Sequence, residues 1–135
     1  MTAVDTNILF YAHDPRDIRK HDIAVELIAS LHDTGVLLWQ VGCEYLAVSR
    51  KLEPFGYSRT QAAAEMRDLR LVWATATPGW PTLDRAEQLR ADFSLSFWDS
   101  LLIAACLDAG VSKLYSEDFQ SGLRIHSLEI LNPFA

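Results

Sequence analysis

Apolar positions along the chain fall into short continuous runs separated by stripes at helical spacing. A run at Ala3-Val4 stops at Asp5, and residues 8–12 read as a helical turn ended near Pro15. Ile23, Leu27, Ile28 and Leu31 recur at helical spacing, with Gly35 as the expected stop. Residues 36–39 are uninterruptedly apolar, which suits a parallel strand buried on both faces. Helical spacing returns over 41–52 and closes at Glu53-Pro54, because the residue before a proline avoids the helical region. Ser58 is the expected N-cap of a helix running through Leu69. Residues 71–73 read as a third strand and 77–79 as a turn. Two helices follow, over 82–93 and 97–109, with Gly110 just past the second. Residues 113–115 read as a fourth strand, and Ile125 with 128–131 as late strands.

Alternating strands and helices of this kind predict an α/β fold with a parallel sheet, whose sites form beyond the carboxyl ends of strands. A length of 135 residues with 50% hydrophobic content predicts one domain over 1–135. Eighteen acids against 12 bases give a net charge of −6, which excludes a strongly basic nucleic-acid binder but leaves room for a local phosphate site. Cys43 and Cys106 stand far apart inside apolar runs and are expected as buried free thiols. No apolar run approaches the length of a membrane span, and the first residues carry no basic leader pattern. The expectation is a soluble protein of a reducing, cytoplasmic compartment with no membrane contact.

Four acids have neighbours that make them costly. Asp5 and Asp118 follow expected strand ends. Glu44 shares a helical stripe with Val41 and Val48, and Asp99 opens one that continues through Leu102, Ile103 and Cys106. Each has an ordinary structural reading: Asp5 and Asp99 as helix caps, Asp118 as a turn acid. Glu44 has the weakest such reading, because an unpaired carboxylate on a buried stripe is expensive. Converging at one sheet edge, unit charges about 4 Å apart repel by about 4 kcal/mol at an effective dielectric near 20. A divalent cation relieves that repulsion, and all-oxygen ligands suit Mg²⁺ or Mn²⁺. His13, His21, His32 and His126 form no ligand-pair pattern with the cysteines, which makes zinc a poorer choice.

These segments resemble those of the PIN-domain ribonucleases, in order and over nearly the whole chain. Val4-Asp5-Thr6-Asn7-Ile8-Leu9 is similar to the family's opening motif, residues 40–51 around Glu44 to its second acidic segment, residues 97–105 around Asp99 to its third, and residues 115–120 around Asp118 to its fourth. The ending Ile130-Leu131-Asn132-Pro133-Phe134 is similar to that of VapC-type toxins. The resemblance implies a PIN-like α/β/α sandwich with a mostly parallel central sheet. It also implies cleavage of RNA with Mg²⁺ or Mn²⁺, leaving 5′-phosphate and 3′-hydroxyl ends. Asp5, Glu44, Asp99 and Asp118 would take the catalytic and metal positions, with Thr6, Asn7 and Ser116 as supporting polar groups. Val41-Gly42-Cys43 departs from the bulkier residues usual beside the second acid, and Glu117 adjoins Asp118, so that only one of these two acids can face the site. A cognate antitoxin and a homodimer are implied as partners, with an apolar groove expected on the helices before Trp73.

An acidic protein needs local cations to hold a polyanion. Arg16, Arg19 and Lys20 beside His21, and Arg50 with Lys51 beyond Glu44, are the candidate phosphate contacts; a solvated charged face is the ordinary reading of both groups. Trp39, Tyr45 and Trp73 are expected to fill apolar space, and Trp80, between Gly79 and Pro81, to be partly exposed and available to a base or a partner. Two rival readings are a non-catalytic PIN-fold RNA- or protein-binding module and a phosphohydrolase using Asp5. Asn7 disfavours the second, because that chemistry wants another aspartate there.

Overall fold

A computed structural model describes residues 1–135. In chain order the elements are β1 (Thr2–Val4), α1 (Thr6–Tyr11), α2 (Ile18–Ser30), β2 (Gly35–Leu38), α3 (Trp39–Val48), a 3-10 helix (Ser49–Phe55), α4 (Arg59–Val72), β3 (Ala74–Ala76), α5 (Trp80–Phe93), α6 (Phe97–Asp108), β4 (Lys113–Tyr115), β5 (Leu123–Ile125) and β6 (Leu128–Leu131). The strands form one six-stranded sheet in the order β3-β2-β1-β4-β6-β5. Every pairing is parallel except the β5–β6 hairpin. The fold is thus α/β with a mostly parallel sheet, as the strand–helix alternation predicts.

All four residues of β2 are buried, as a strand covered on both faces requires, whereas β3 at the sheet edge is largely exposed. α6 is apolar almost all round and buries Leu102, Ile103, Ala104, Ala105 and Cys106. α4 is amphipathic and starts at a capping box. Ser58 Oγ accepts from the Gln61 backbone N–H at 3.1 Å, and Gln61 Oε1 accepts from the Ser58 N–H at 2.8 Å.

Several local expectations are corrected. Gly35 does not end α2; it opens β2, where a Cβ would lie 2.5 Å from the Trp73 indole, so the strand and the ring can meet only at glycine. Trp39 belongs to α3 and is exposed rather than packed. Pro54 does not stop the second helical stretch: α3 tightens into the 3-10 helix at Ser49, and the turn ends at Gly56, with φ of +90°. Residues 71–73 are not a strand. Leu71 and Val72 complete α4 exposed, Trp73 is the buried C-cap, and the strand follows at Ala74. A three-residue apolar run carries no period that separates the two conformations. Cys43 is exposed, while Cys106 is buried with its thiol pushed upward by burial.

The course of the chain positions the candidate site. β1, β2 and β3 step outward in one direction, and the chain then returns to place β4 on the other side of β1. The carboxyl ends of β1 and β4 therefore diverge at a switch point, which is where open parallel sheets form crevices. Asp5 leaves β1 there, and Ser116 and Asp118 leave β4.

Candidate active site

Asp5 ends β1 and N-caps α1, so the sheet fixes its backbone before its side chain does anything. Its N–H donates to the Tyr115 carbonyl at 2.8 Å, continuing the β1–β4 pairing. One carboxylate oxygen accepts from the Thr6 N–H at 2.7 Å, and the other accepts from Ser116 Oγ at 2.7 Å. Ser116 is fully buried and its Oγ accepts from the Asp118 N–H at 3.1 Å, so one hydroxyl ties the two acids' local geometry together. Asp5 itself is buried. Burial is the main reason its pKa rises from the ordinary 3.8 to about 6; the charges of Asp118 and Glu44 add to it, and the bonds from Ser116 and Thr6 oppose it.

Glu44 lies on the face of α3 turned to this crevice. It is exposed, contrary to the packed position its stripe suggests, because Val41 and Tyr45 take the buried side. Thr6 Oγ1 donates to Glu44 Oε2 at 3.0 Å, and Gln40 Nε2 donates to Oε1 at 2.7 Å. Asp118 is exposed and accepts from Asn7 Nδ2 at 3.1 Å. Its pKa is raised, by partial burial first and then by the charges of Glu117, Asp99 and Glu44. Glu117 points elsewhere, accepting from Tyr11 Oη at 2.6 Å and from Lys20 Nζ at 2.9 Å. Of these two adjacent acids, Asp118 lines the crevice.

Asp5, Thr6, Asn7, Glu44 and Asp118 thus line one open cleft of about 520 Å³, with Arg50 and Lys51 on its wall. Asp99 lies outside that lining. It sits in the first turn of α6, where its N–H donates to the Ser96 N-cap at 3.2 Å, and it reaches the group through its charge on Asp118. No three of the chain's His, Cys, Asp and Glu side chains come close enough to enclose a metal ion directly. The donor set nonetheless fits a hydrated hard cation. Asn7 Oδ1 and Gln40 Oε1 are buried acceptors without a hydrogen-bond partner, and their amide NH₂ groups are already committed to Asp118 and Glu44. Acceptors beside carboxylates and without a protein donor suit the O–H groups of a cation's retained water shell.

The candidate cations divide. Arg50 and Lys51 are exposed, line the cleft and form no ion pair. Arg16 is committed to Asp14 through two bonds of 2.8 and 2.9 Å, Arg19 donates to the Phe134 carbonyl at 2.7 Å, and Lys20 pairs with Glu117. Sequence reasoning missed Gln40, which binds Glu44 and reaches the Trp98 carbonyl at 3.4 Å, linking α3 to the start of α6. Its signal was present: an amide four residues before an acid shares that acid's helix face.

An apolar hollow of about 240 Å³ lies elsewhere, lined by Leu9 and Ala12, Val25 and Ile28 of α2, and Met66 and Leu69 of α4. Its walls are helices that precede Trp73.

The family model of the PIN domain matches residues 2–121. No curated protein matches the sequence. Among solved structures, the chain is similar to a toxin–antitoxin complex from Klebsiella pneumoniae, with a TM-score of 0.73, 15% identity and 98% of each chain covered. It is also similar to VapC20 of Mycobacterium tuberculosis, a toxin that cleaves the sarcin–ricin loop, at a TM-score of 0.68 and 20% identity, covering 87% of this chain and 90% of that one. VapBC2 of Rickettsia felis, bound to a DNA fragment from its promoter, gives 0.65 and 16% identity with 96% of each chain covered. At these identities the likeness is one of fold.

Proposed function

Because this chain belongs to the PIN domain family, we propose that it is a VapC-like endoribonuclease toxin that hydrolyses RNA phosphodiesters with a divalent cation. The observation that carries the reading is the state of Asp5. A buried carboxyl held by Ser116 and Thr6, its pKa raised by burial first and then by the charges of Asp118 and Glu44, is a site short of positive charge. Mg²⁺ or Mn²⁺ held by Asp5, Glu44, Asp118 and Asp99 would supply that charge, and would stabilise the negative charge that builds on a phosphodiester during hydrolysis. Ser116, Thr6 and Asn7 orient the carboxylates. Arg50 and Lys51, on the same wall and free of acidic partners, hold the flanking phosphates.

The apolar hollow between α2 and α4 is the proposed seat of a cognate antitoxin, by analogy with the toxin–antitoxin complexes that share the fold. A homodimer is proposed on the same analogy, and residues 1–135 are proposed to act as a single domain. No helix is long and apolar enough to cross a membrane.

RNA cleavage in Mg²⁺ by the wild type and by Asp5→Asn and Asp99→Asn tests the reading. Loss of cleavage in both variants is expected, and cleavage at wild-type rate in either removes that residue from the site. The wide spacing of the acids favours one alternative, a non-catalytic PIN-fold RNA- or protein-binding module. That reading requires the wild type to bind Mg²⁺ and RNA without turnover.

A further inference from the structure

The stretch that carries Asp118 has little backbone bonding of its own. Residues 116–122 join β4 to β5 without regular structure, and residues 117–119 make no backbone–backbone hydrogen bond. Asp118 is exposed, and its carboxylate accepts one hydrogen bond, from Asn7 Nδ2. Its neighbour Glu117 is held more firmly. Glu117 Oε1 accepts from Tyr11 Oη at 2.6 Å and Oε2 accepts from Lys20 Nζ at 2.9 Å, while Lys20 Nζ also donates to Tyr11 Oη at 3.3 Å. The three side chains close a ring of bonds that uses both carboxylate oxygens. Lys20 is fixed from its own side as well. Its N–H donates to the Asp17 cap at 3.0 Å, and its ammonium lies 4.7 Å from the centre of the Tyr11 ring and 5.5 Å from that of Phe134. Those two rings meet edge-to-face at 5.2 Å, and Arg19 Nη2 donates to the Phe134 carbonyl. The end of α1, the first turn of α2 and the segment at Phe134 therefore converge on Glu117.

We propose that Lys20, Tyr11 and Glu117 form a clasp that positions Asp118 for the cation of the cleft, which makes Lys20 and Tyr11 positioning residues. The inference rests on the proposed divalent-cation site and deepens it by naming what holds one of its acids in place. The Lys20 and Glu117 side chains are 28% and 22% exposed, so the ring is largely shielded from solvent, unlike an ordinary surface ion pair. Glu117 and Asp118 share a peptide plane, so fixing the first fixes where the second begins. On the other side in sequence, Phe119 packs against the core. Asp118 is thus held between two anchored neighbours, and Tyr11 itself lines the cleft.

Charge alone makes the opposite prediction. Lys20 is a cation near a cation site, so deleting its charge would strengthen metal binding if it acted only through its field. Loss of a clasp weakens binding instead. The Mn²⁺ affinity of the full chain, read from the paramagnetic resonance signal of free Mn²⁺, separates the two. Lys20→Met and Tyr11→Phe should each weaken binding by about tenfold, the lower end of what supporting residues contribute around metal sites. Lys20→Arg keeps a donor for Glu117 and should retain most of the affinity. Tyr11→Phe removes one hydroxyl and no charge, and it decides the matter if Lys20→Met does not fold. Amide hydrogen exchange in EDTA gives a readout without metal. The Asp118 N–H, bonded to Ser116 Oγ, should exchange faster in both variants, while the amides of β1 and β4 keep their wild-type protection.

Tighter Mn²⁺ binding in Lys20→Met, or unchanged binding in Tyr11→Phe, overturns the clasp. So does a loss of protection in β1 and β4 equal to that at Asp118, which would make the ring a support of the whole fold. Failure of the underlying reading looks different. A wild type that binds no Mn²⁺ removes the cation site, and the clasp's role with it. A wild type that binds Mn²⁺ through the clasp but never cleaves RNA leaves the clasp standing and removes the nuclease.

Discussion

Replacing Asp5 with asparagine should make the metal-free protein more stable at neutral pH while removing the charge its proposed chemistry needs. Folding raises the Asp5 pKa from 3.8 to about 6, chiefly through burial. For an acid this means that the folded state resists ionisation. Below pH 3.8 both states are protonated and there is no penalty. As pH rises through about 6 the penalty grows to its full size, about 3 kcal/mol by linkage. Asparagine avoids it, and its amide oxygen can still accept from the Thr6 N–H. The Ser116 hydroxyl loses its acceptor, however, at a cost of about 1 kcal/mol. The net gain at pH 7.5 is about 2 kcal/mol. With an unfolding entropy of about 2.1 cal/mol/K per residue, a 135-residue chain gains about 7 °C in Tm. Circular dichroism melts in EDTA at several pH values between 4 and 8 provide the measurement. The variant should match or fall slightly below wild type near pH 4 and rise above it by pH 7.5. A Tm difference that does not change with pH would refute the assignment of the penalty to this carboxyl.

Gly35→Ala should lower stability by about 1–3 kcal/mol, read in the same melts, since its Cβ would meet the buried Trp73 ring at 2.5 Å. Ser58→Ala removes the capping box of α4 and should cost about 1 kcal/mol. Reversing the charges of Arg50 and Lys51 should weaken RNA binding and lower the slope of log affinity against log salt by about 2, if each meets one phosphate. The same reversal at Arg19 and Lys20 should leave that slope unchanged, because these side chains are committed to Phe134 and Glu117; a flattened slope there would mean that RNA displaces those bonds.

Apart from β3, the strands and the sequence positions of the acids were legible because both depend on local pattern. Residues 36–38 are apolar without interruption because the strand is covered on both faces, and Asp5 and Asp118 follow strands because crevices form there. What the chain hid was pairing across distance. Nothing near Lys20 in sequence shows that Glu117 will neutralise it, and nothing near Arg50 shows that no acid will. The orientation of α3 was hidden for a related reason: the stripe through Val41, Glu44 and Val48 and the face marked by Val41 and Tyr45 differ by one position in the turn, and burial of the Tyr45 ring decided between them. Tyr45 is held inside by its hydroxyl contact with Tyr57, on whose ring His13 stacks at 4.3 Å, an arrangement assembled from three separate segments.

These pairings change what the net charge of −6 means. Asp14, Glu87, Asp108, Glu117 and Glu129 each face an arginine or lysine, so they cannot be the source of an unbalanced field. Asp5, Glu44 and Asp118 face only one another, hydroxyls and amides, with Arg50 and Lys51 on the same cleft but bonded to none of them. Five cations thus pair with acids outside the cleft, and none pairs with the three acids gathered at the switch point of the sheet. A chain optimised for stability alone would do the reverse, since the raised Asp5 pKa is a folding cost at neutral pH. At neutral pH a positive charge entering the cleft would remove that cost. If the cleft is a cation site, Mg²⁺ should raise the Tm of the wild type and leave Asp5→Asn nearly unmoved; an equal rise in both would place the cation elsewhere.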